Sequence, residues 1–164
     1  MVGLAELAVS QDPHLLLCTH ALGACLGIAI FDPTAGVGGL LHSLLPDSKM
    51  DPKRAADRPG MFLDTGLAAL LERALQLGAK KENLRVIIAG GAQIMDETTS
   101  FNIGQRNHEV LRALLAQHGL KIHAEDIGGM TNRTMQLNLA NGEVRLQYSG
   151  QVKIKLLCPK SKTT

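Results

Sequence analysis

Cys25 and His42 are the side chains best suited to covalent chemistry near neutral pH, and Thr19 adds a hydroxyl shortly before the thiol. A free thiol has a pKa of about 8.5, so only a few per cent is ionised at pH 7 unless a base or cation stands beside it. An imidazole in contact would serve as that base. Thr19 would then accept a hydrogen bond from the second ring nitrogen and fix the tautomer, as the third group of a triad does. Gly23 and Ala24 leave the sulfur uncrowded and let backbone N–H groups approach an oxyanion. Such a set would attack an acyl carbon. Taken singly, a cysteine in an apolar strand is more often a small buried hydrophobe, and a histidine among leucines a structural one.

Two strands must bring these groups together. Leu26 to Phe31 and Val37 to Leu45 read as a hairpin around the bend-forming Asp32-Pro33-Thr34-Ala35-Gly36. A plain five-residue connection puts Cys25 opposite Ser43 and leaves His42 on the other face. One extra residue in the second strand corrects this. A β-bulge at Gly38-Gly39 is therefore expected, bringing His42 opposite Cys25 as a thiolate–imidazolium pair.

The remaining elements follow from periodicity and punctuation. Val2 to Val9 and the run from His14 to Cys18 read as extended. Pro46 to Gly60 is charged and proline-rich, so an exposed, mobile loop is expected there. Apolar residues at helical spacing give one helix over Met61 to Leu77 and another over Ile103 to His118, the second capped by Asn102 and closed by Gly119. Val86 to Ala89 and Ile122 to Ala124 are short strands. Leu137 and Leu139 face Val144 and Leu146 across Asn141-Gly142, a hairpin signal. VKIKLLC adds a last strand, and the division expected is one domain over residues 1–152 with a basic tail over 153–164.

Other features carry less. Ala89-Gly90-Gly91-Ala92 lacks the Lys-Ser or Lys-Thr of a phosphate loop and signals a close backbone approach instead. Cys18, His20, Cys25 and His42 match no common zinc spacing, so no metal is expected. His108, His118 and His123 read as ordinary surface or helix-end residues. Arg106 and Asn107 open the second helix and either hold the Gly128-Gly129 turn, the preferred reading, or meet a partner; Asp126 with Arg133 is expected to form an ion pair beside that turn.

At 164 residues the chain is about one domain long, and its 45% apolar and 20% charged residues match a globular protein. A net charge of +2 and 2% aromatic residues supply neither the field nor the stacking surfaces for nucleic acid. No apolar run approaches the ~18 residues of a membrane span, and the N-terminus lacks signal-peptide character, so a cytoplasmic address is expected. Three cysteines without a CxxC pair are expected as free thiols.

The order and spacing of particular residues resemble those of the CheD chemoreceptor glutamine deamidases. The matching residues are Thr19, Leu22-Gly23-Ala24-Cys25, Phe31-Asp32-Pro33, Gly36-Val37-Gly38-Gly39, and His42 with Leu45-Pro46. They continue through Ala89-Gly90-Gly91-Ala92, Asn102-Ile103-Gly104, Arg106-Asn107, Asp126, Gly128-Gly129 and Arg133. Ala24 departs from the pattern, since the family commonly has serine before the nucleophile. The resemblance implies a single-domain α+β layered sandwich with mixed, mostly antiparallel sheets and two main helices, similar to the cytotoxic necrotizing factor deamidases. It implies Cys25 as nucleophile, His42 as base and Thr19 as auxiliary, acting without a cofactor on glutamines of the receptor cytoplasmic domain. Receptor methyl esters are a secondary substrate, and a CheC-type phosphatase is an implied partner. A noncatalytic adaptor binding the receptor or that phosphatase is the alternative.

Overall fold

The computed structural model describes residues 1–93 and 102–159. Among the described residues, nine strands form two sheets. β1 (Leu7–Ser10), β4 (Val37–Ser43), β3 (Leu26–Asp32), β5 (Arg85–Gly90) and β6 (Ile122–Ile127) lie side by side in that order. β2 (Leu16–Leu22), β7 (Arg133–Asn138), β8 (Val144–Tyr148) and β9 (Ile154–Cys158) make the second sheet. Among the described residues every pairing between these strands is antiparallel except β5 with β6, which are joined through a crossover helix as parallel neighbours must be. The helices are α1 (Pro52–Asp57), α2 (Leu63–Gln76) and α3 (Ile103–Gln117).

Period-two alternation along the central strands sorts the core into two layers. Leu26, Ile28 and Ile30 of β3 pack with Leu67, Leu70, Leu111 and Leu115 of the long helices. Ala29, Phe31 and Leu40 point the other way and meet Leu17, Met135, Leu137 and Leu146 of the second sheet. The result is an α+β sandwich of helices, sheet and sheet. β3 and β4 are buried along their full length because both of their faces are covered.

Three sequence expectations need correction. The bulge at Gly38-Gly39 does not exist: β3 and β4 pair in unbroken register from Leu26–Ser43 to Asp32–Val37, with His42 opposite Gly27. The two glycines instead serve close packing. A Cβ at Gly38 would run into Leu139 Cδ2, and one at Gly39 would lie 2.9 Å from Leu70 Cδ1. Second, residues 46–60 are not an open loop. Asp51 caps α1 through Arg54 N–H, Pro52 occupies its first turn, and Ala55 and Met61 are buried with Phe62. Arg58 ties this segment to the N-terminus by donating to the Leu4 carbonyl at 2.8 Å. Third, β1 is shorter than Val2 to Val9, because Ala5 adopts a left-handed φ of 61° and interrupts the extended run.

The other elements overlap their expected positions, with β2 shifted to Leu16–Leu22 from the run expected over His14 to Cys18 and β6 extended past Ala124 to Ile127. Asn102 accepts from Gln105 N–H at 3.0 Å at the start of α3, and Leu137 pairs with Val144 across the expected hairpin. VKIKLLC supplies β9. Lys155, expected on a solvated tail, pairs there with Asp126 at 2.5 Å. Lys160 and Lys162 lie outside the described residues. The three cysteines are free thiols.

Candidate functional site

The inner face of β4 carries the imidazole. His42 is 1% exposed, and its backbone is held from the N-terminal segment: Ala5 N–H donates to its carbonyl at 2.9 Å and its N–H donates to Glu6 at 3.0 Å. Those bonds point away from β3, so His42 and Gly27 form the closer, non-hydrogen-bonded kind of antiparallel pair. A side chain at Gly27 would collide with Leu22 and Met135, so glycine leaves the space between the sheets open beside the ring.

The hydroxyl arrives from the opposite sheet. Thr19 of β2 is fully buried, and its Oγ1 lies 2.7 Å from His42 Nδ1. Just beyond it β2 loses register with β7, and Ala21 takes a φ of 57°, which turns the chain towards the bend at residues 23–25. The other ring nitrogen, Nε2, is buried and makes no hydrogen bond. A buried polar atom left unpaired costs about 1–3 kcal/mol, so its retention points to use rather than packing.

Cys25 stands in the bend immediately before β3 and is partly exposed. Because His42 pairs with Gly27, Cys25 shares its strand parity and would be its diagonal neighbour if the ladder continued. Diagonal Cβ atoms lie about 7–8 Å apart or less, within reach of an imidazole. The bend is fixed through its carbonyls: Ala92 N–H donates to Gly23 at 2.8 Å and Gly91 N–H to Cys25 at 2.9 Å. The Ala24 carbonyl accepts from Asn107 Nδ2 at 3.2 Å. Gly90 (φ 116°) makes this approach possible, since a Cβ there would fall on the Cys25 carbonyl oxygen.

Burial pushes the Cys25 thiol above its ordinary range and lowers His42 from 6.5 to about 4. Both directions oppose charge, so the resting pair is neutral thiol and neutral imidazole rather than the ionised pair expected from the sequence. This has a consequence for stability. A histidine whose pKa is depressed by folding stabilises the native state fully above the unfolded value of 6.5, and that contribution is lost as pH falls towards 4. The shift corresponds to about 3 kcal/mol. The urea midpoint of the wild type should therefore drop more steeply between pH 7 and pH 4 than that of His42→Gln. Parallel curves would remove His42 as the cause.

Beside the bend lies a charged network. Asp126 faces Arg133 Nε at 3.0 Å and accepts from Tyr148 at 2.6 Å and Lys155 at 2.5 Å. Burial alone would raise Asp126, but the bonds from Lys155 and Tyr148 and the Arg133 charge outweigh it and hold the carboxyl below its usual range. Arg133 also donates to Gly90 at 2.7 Å and to the Gly128 carbonyl. The expected ion pair is present, but Arg133 rather than Asn107 holds the glycine turn. Asn107 instead reaches Ala24 and Leu44. Arg106-Asn107 stood among the residues that carry the resemblance, whereas the close approach of α3 to Gly91 at Gly104 that gives Asn107 its reach is visible only in the fold.

Elsewhere, His20 is exposed, with Nδ1 3.0 Å from Thr134 Oγ1 and Nε2 3.8 Å from Cys18 Sγ. Among the described residues, no cluster of His, Cys, Asp or Glu could hold a metal ion, and no helix is long and apolar enough to cross a membrane.

Fold and site together define a two-sheet α+β protein with a buried imidazole held by a hydroxyl and a partly exposed thiol at the mouth of β3. Residues 44–148 match the family model described as CheD chemotactic sensory transduction. The chain belongs to the CheD family. Its relatives include a probable chemoreceptor glutamine deamidase CheD of Solibacter usitatus, 42% identical over 153 residues that span 93% of this chain and 90% of the relative. The chemoreceptor glutamine deamidase CheD of Thermotoga maritima is 37% identical over 158 residues, 94% of this chain and 97% of its own. The family model begins after Thr19, Cys25 and His42, whereas these full-length similarities cover nearly the whole chain.

Proposed function

We propose that this protein deamidates glutamine side chains of chemoreceptors, with Cys25 as nucleophile, His42 as base and Thr19 as the group that orients His42. The observation that carries the reading is the buried His42 ring, tied at Nδ1 to Thr19 and unpaired at Nε2. With Nδ1–H donating to Thr19, Nε2 holds the lone pair that a base requires. The similarity to relatives named as chemoreceptor glutamine deamidases supports the substrate.

The reaction runs through two acyl transfers. Cys25 Sγ attacks the carboxamide carbon as its proton passes to His42 Nε2. N–H groups of the Gly23-Ala24-Cys25 bend stabilise the oxyanion. The C–N bond breaks, ammonia leaves with the proton from His42, and a thioester remains. Water then gives a proton to His42 and attacks the thioester, the C–S bond breaks to release glutamate, and His42 returns the proton to the departing sulfur, restoring the thiol and the neutral imidazole. No step needs a cofactor. A receptor methyl ester presents the same acyl carbon and is a secondary substrate. The reading includes a cytoplasmic location and a CheC-type phosphatase as partner.

Incubation with a purified receptor cytoplasmic fragment should convert specific glutamines to glutamates, read by peptide mass spectrometry with ammonia released in equal amount. Binding of that fragment without conversion would support the adaptor instead.

A further inference from the structure

The β3–β4 ladder ends one residue too early to hold the thiol and the imidazole together. Its last pair is Leu26 with Ser43, and beyond it Leu44 and Leu45 turn away to bond the Met61 carbonyl at 3.0 Å. Cys25 lies outside the ladder. At that point one side chain bridges the two strands. Asn107 Nδ2 donates to the carbonyl of Ala24, immediately before Cys25, at 3.2 Å, and to that of Leu44, two residues after His42, at 3.0 Å.

We propose that Asn107 is a positioning residue that sets the separation between the Cys25 thiol and the His42 imidazole. Both partners are carbonyls, so the amide must turn its nitrogen towards them. Its Oδ1 is then buried without a hydrogen bond in a fully buried residue. A side chain chosen for stability alone would not leave an acceptor stranded. Gly104, one helical turn earlier, brings α3 close enough for this reach: a Cβ there would meet the Gly91 carbonyl. One amide thus couples the nucleophile's bend, the base's strand and the helix.

The inference rests on the roles given to Cys25 and His42 above, and its test uses a readout that needs no receptor. Asn107→Leu keeps the volume without donors, Asn107→Asp keeps the shape with an acceptor in place of the donor, and Asn107→Ser retains one donor. Each full-length variant is assayed well below its own unfolding midpoint. Iodoacetamide labelling is followed by peptide mass spectrometry, with Cys18 in the same molecule as internal reference. The Leu and Asp variants should lose about tenfold in the Cys25 rate relative to Cys18, because His42 no longer takes the proton in line. With receptor fragment as substrate, kcat should fall about 100-fold while KM stays within about twofold, the signature of lost alignment rather than lost binding. The Ser variant should recover part of both.

Folded Leu and Asp variants with an unchanged Cys25 to Cys18 ratio would overturn the proposal. So would failure of all three variants to fold, which would assign Asn107 to the scaffold alone. If the wild type converts no receptor glutamine yet the labelling ratio still follows Asn107, the deamidase reading fails and the positioning role stands.

Discussion

Cys25→Ala should reduce conversion of receptor glutamine by about 10⁴-fold or more, to the level of substrate alone, while leaving the fold intact. The sulfur is the only atom of the proposed set that bonds to the substrate, and alanine offers no substitute. Cys25 is partly exposed in a bend held by its backbone carbonyls, so removing the side chain opens no core cavity. Cys18→Ala, on the exposed side of β2, should stay within about twofold of the wild type and controls for general thiol effects. Because the resting pair is neutral, kcat/KM should hold nearly level as pH falls through 6 and decline only near 4, where His42 takes a proton. Full activity in Cys25→Ala would remove the thiol from the mechanism.

Gly90→Ala should lower stability and activity together, by about 3 kcal/mol or more in the first and at least 100-fold in the second. Two costs add. The φ of 116° belongs to a region that an L side chain rarely adopts, worth about 1–3 kcal/mol. A methyl there would also overlap the Cys25 carbonyl oxygen, so β3 must move away from β5. That displacement shifts the bend itself, and misplacement of a nucleophile by about 1 Å can cost 100-fold in rate. Denaturant unfolding and the glutamine assay read the two effects separately. An alanine variant with wild-type values in both would show that the bend does not depend on this contact.

Elements with strong local patterns were legible in the sequence. α2, α3 and the β7–β8 hairpin each announce themselves through periodicity and terminal residues, because local backbone preference and burial agree there. Register was less accessible. Gly38-Gly39 has two physical explanations, a bulge or a close neighbour, and only the presence of Leu139 and Leu70 above and below the sheet selects the second. The charged segment 46–60 misled for a related reason: α1 is short and depends on its cap, on Pro52 and on Arg58 meeting a distant carbonyl. Thr19, Cys25 and His42 were readable as chemical types. Asn107 was singled out but placed at the Gly128-Gly129 turn, since its actual partners lie 83 and 63 residues away and meet it only when α3 packs against the bend.

The imidazole between the sheets and the thiol at their edge differ in what can touch them from outside. Diethyl pyrocarbonate or a dissolved transition metal meets His14, His20 and His123 first, all of them open to solvent, while His42 is roofed on both sides. The thiol has no such roof. Inhibitors of this protein should accordingly be electrophiles that capture sulfur, and histidine-directed reagents should leave it running until the sandwich itself comes apart.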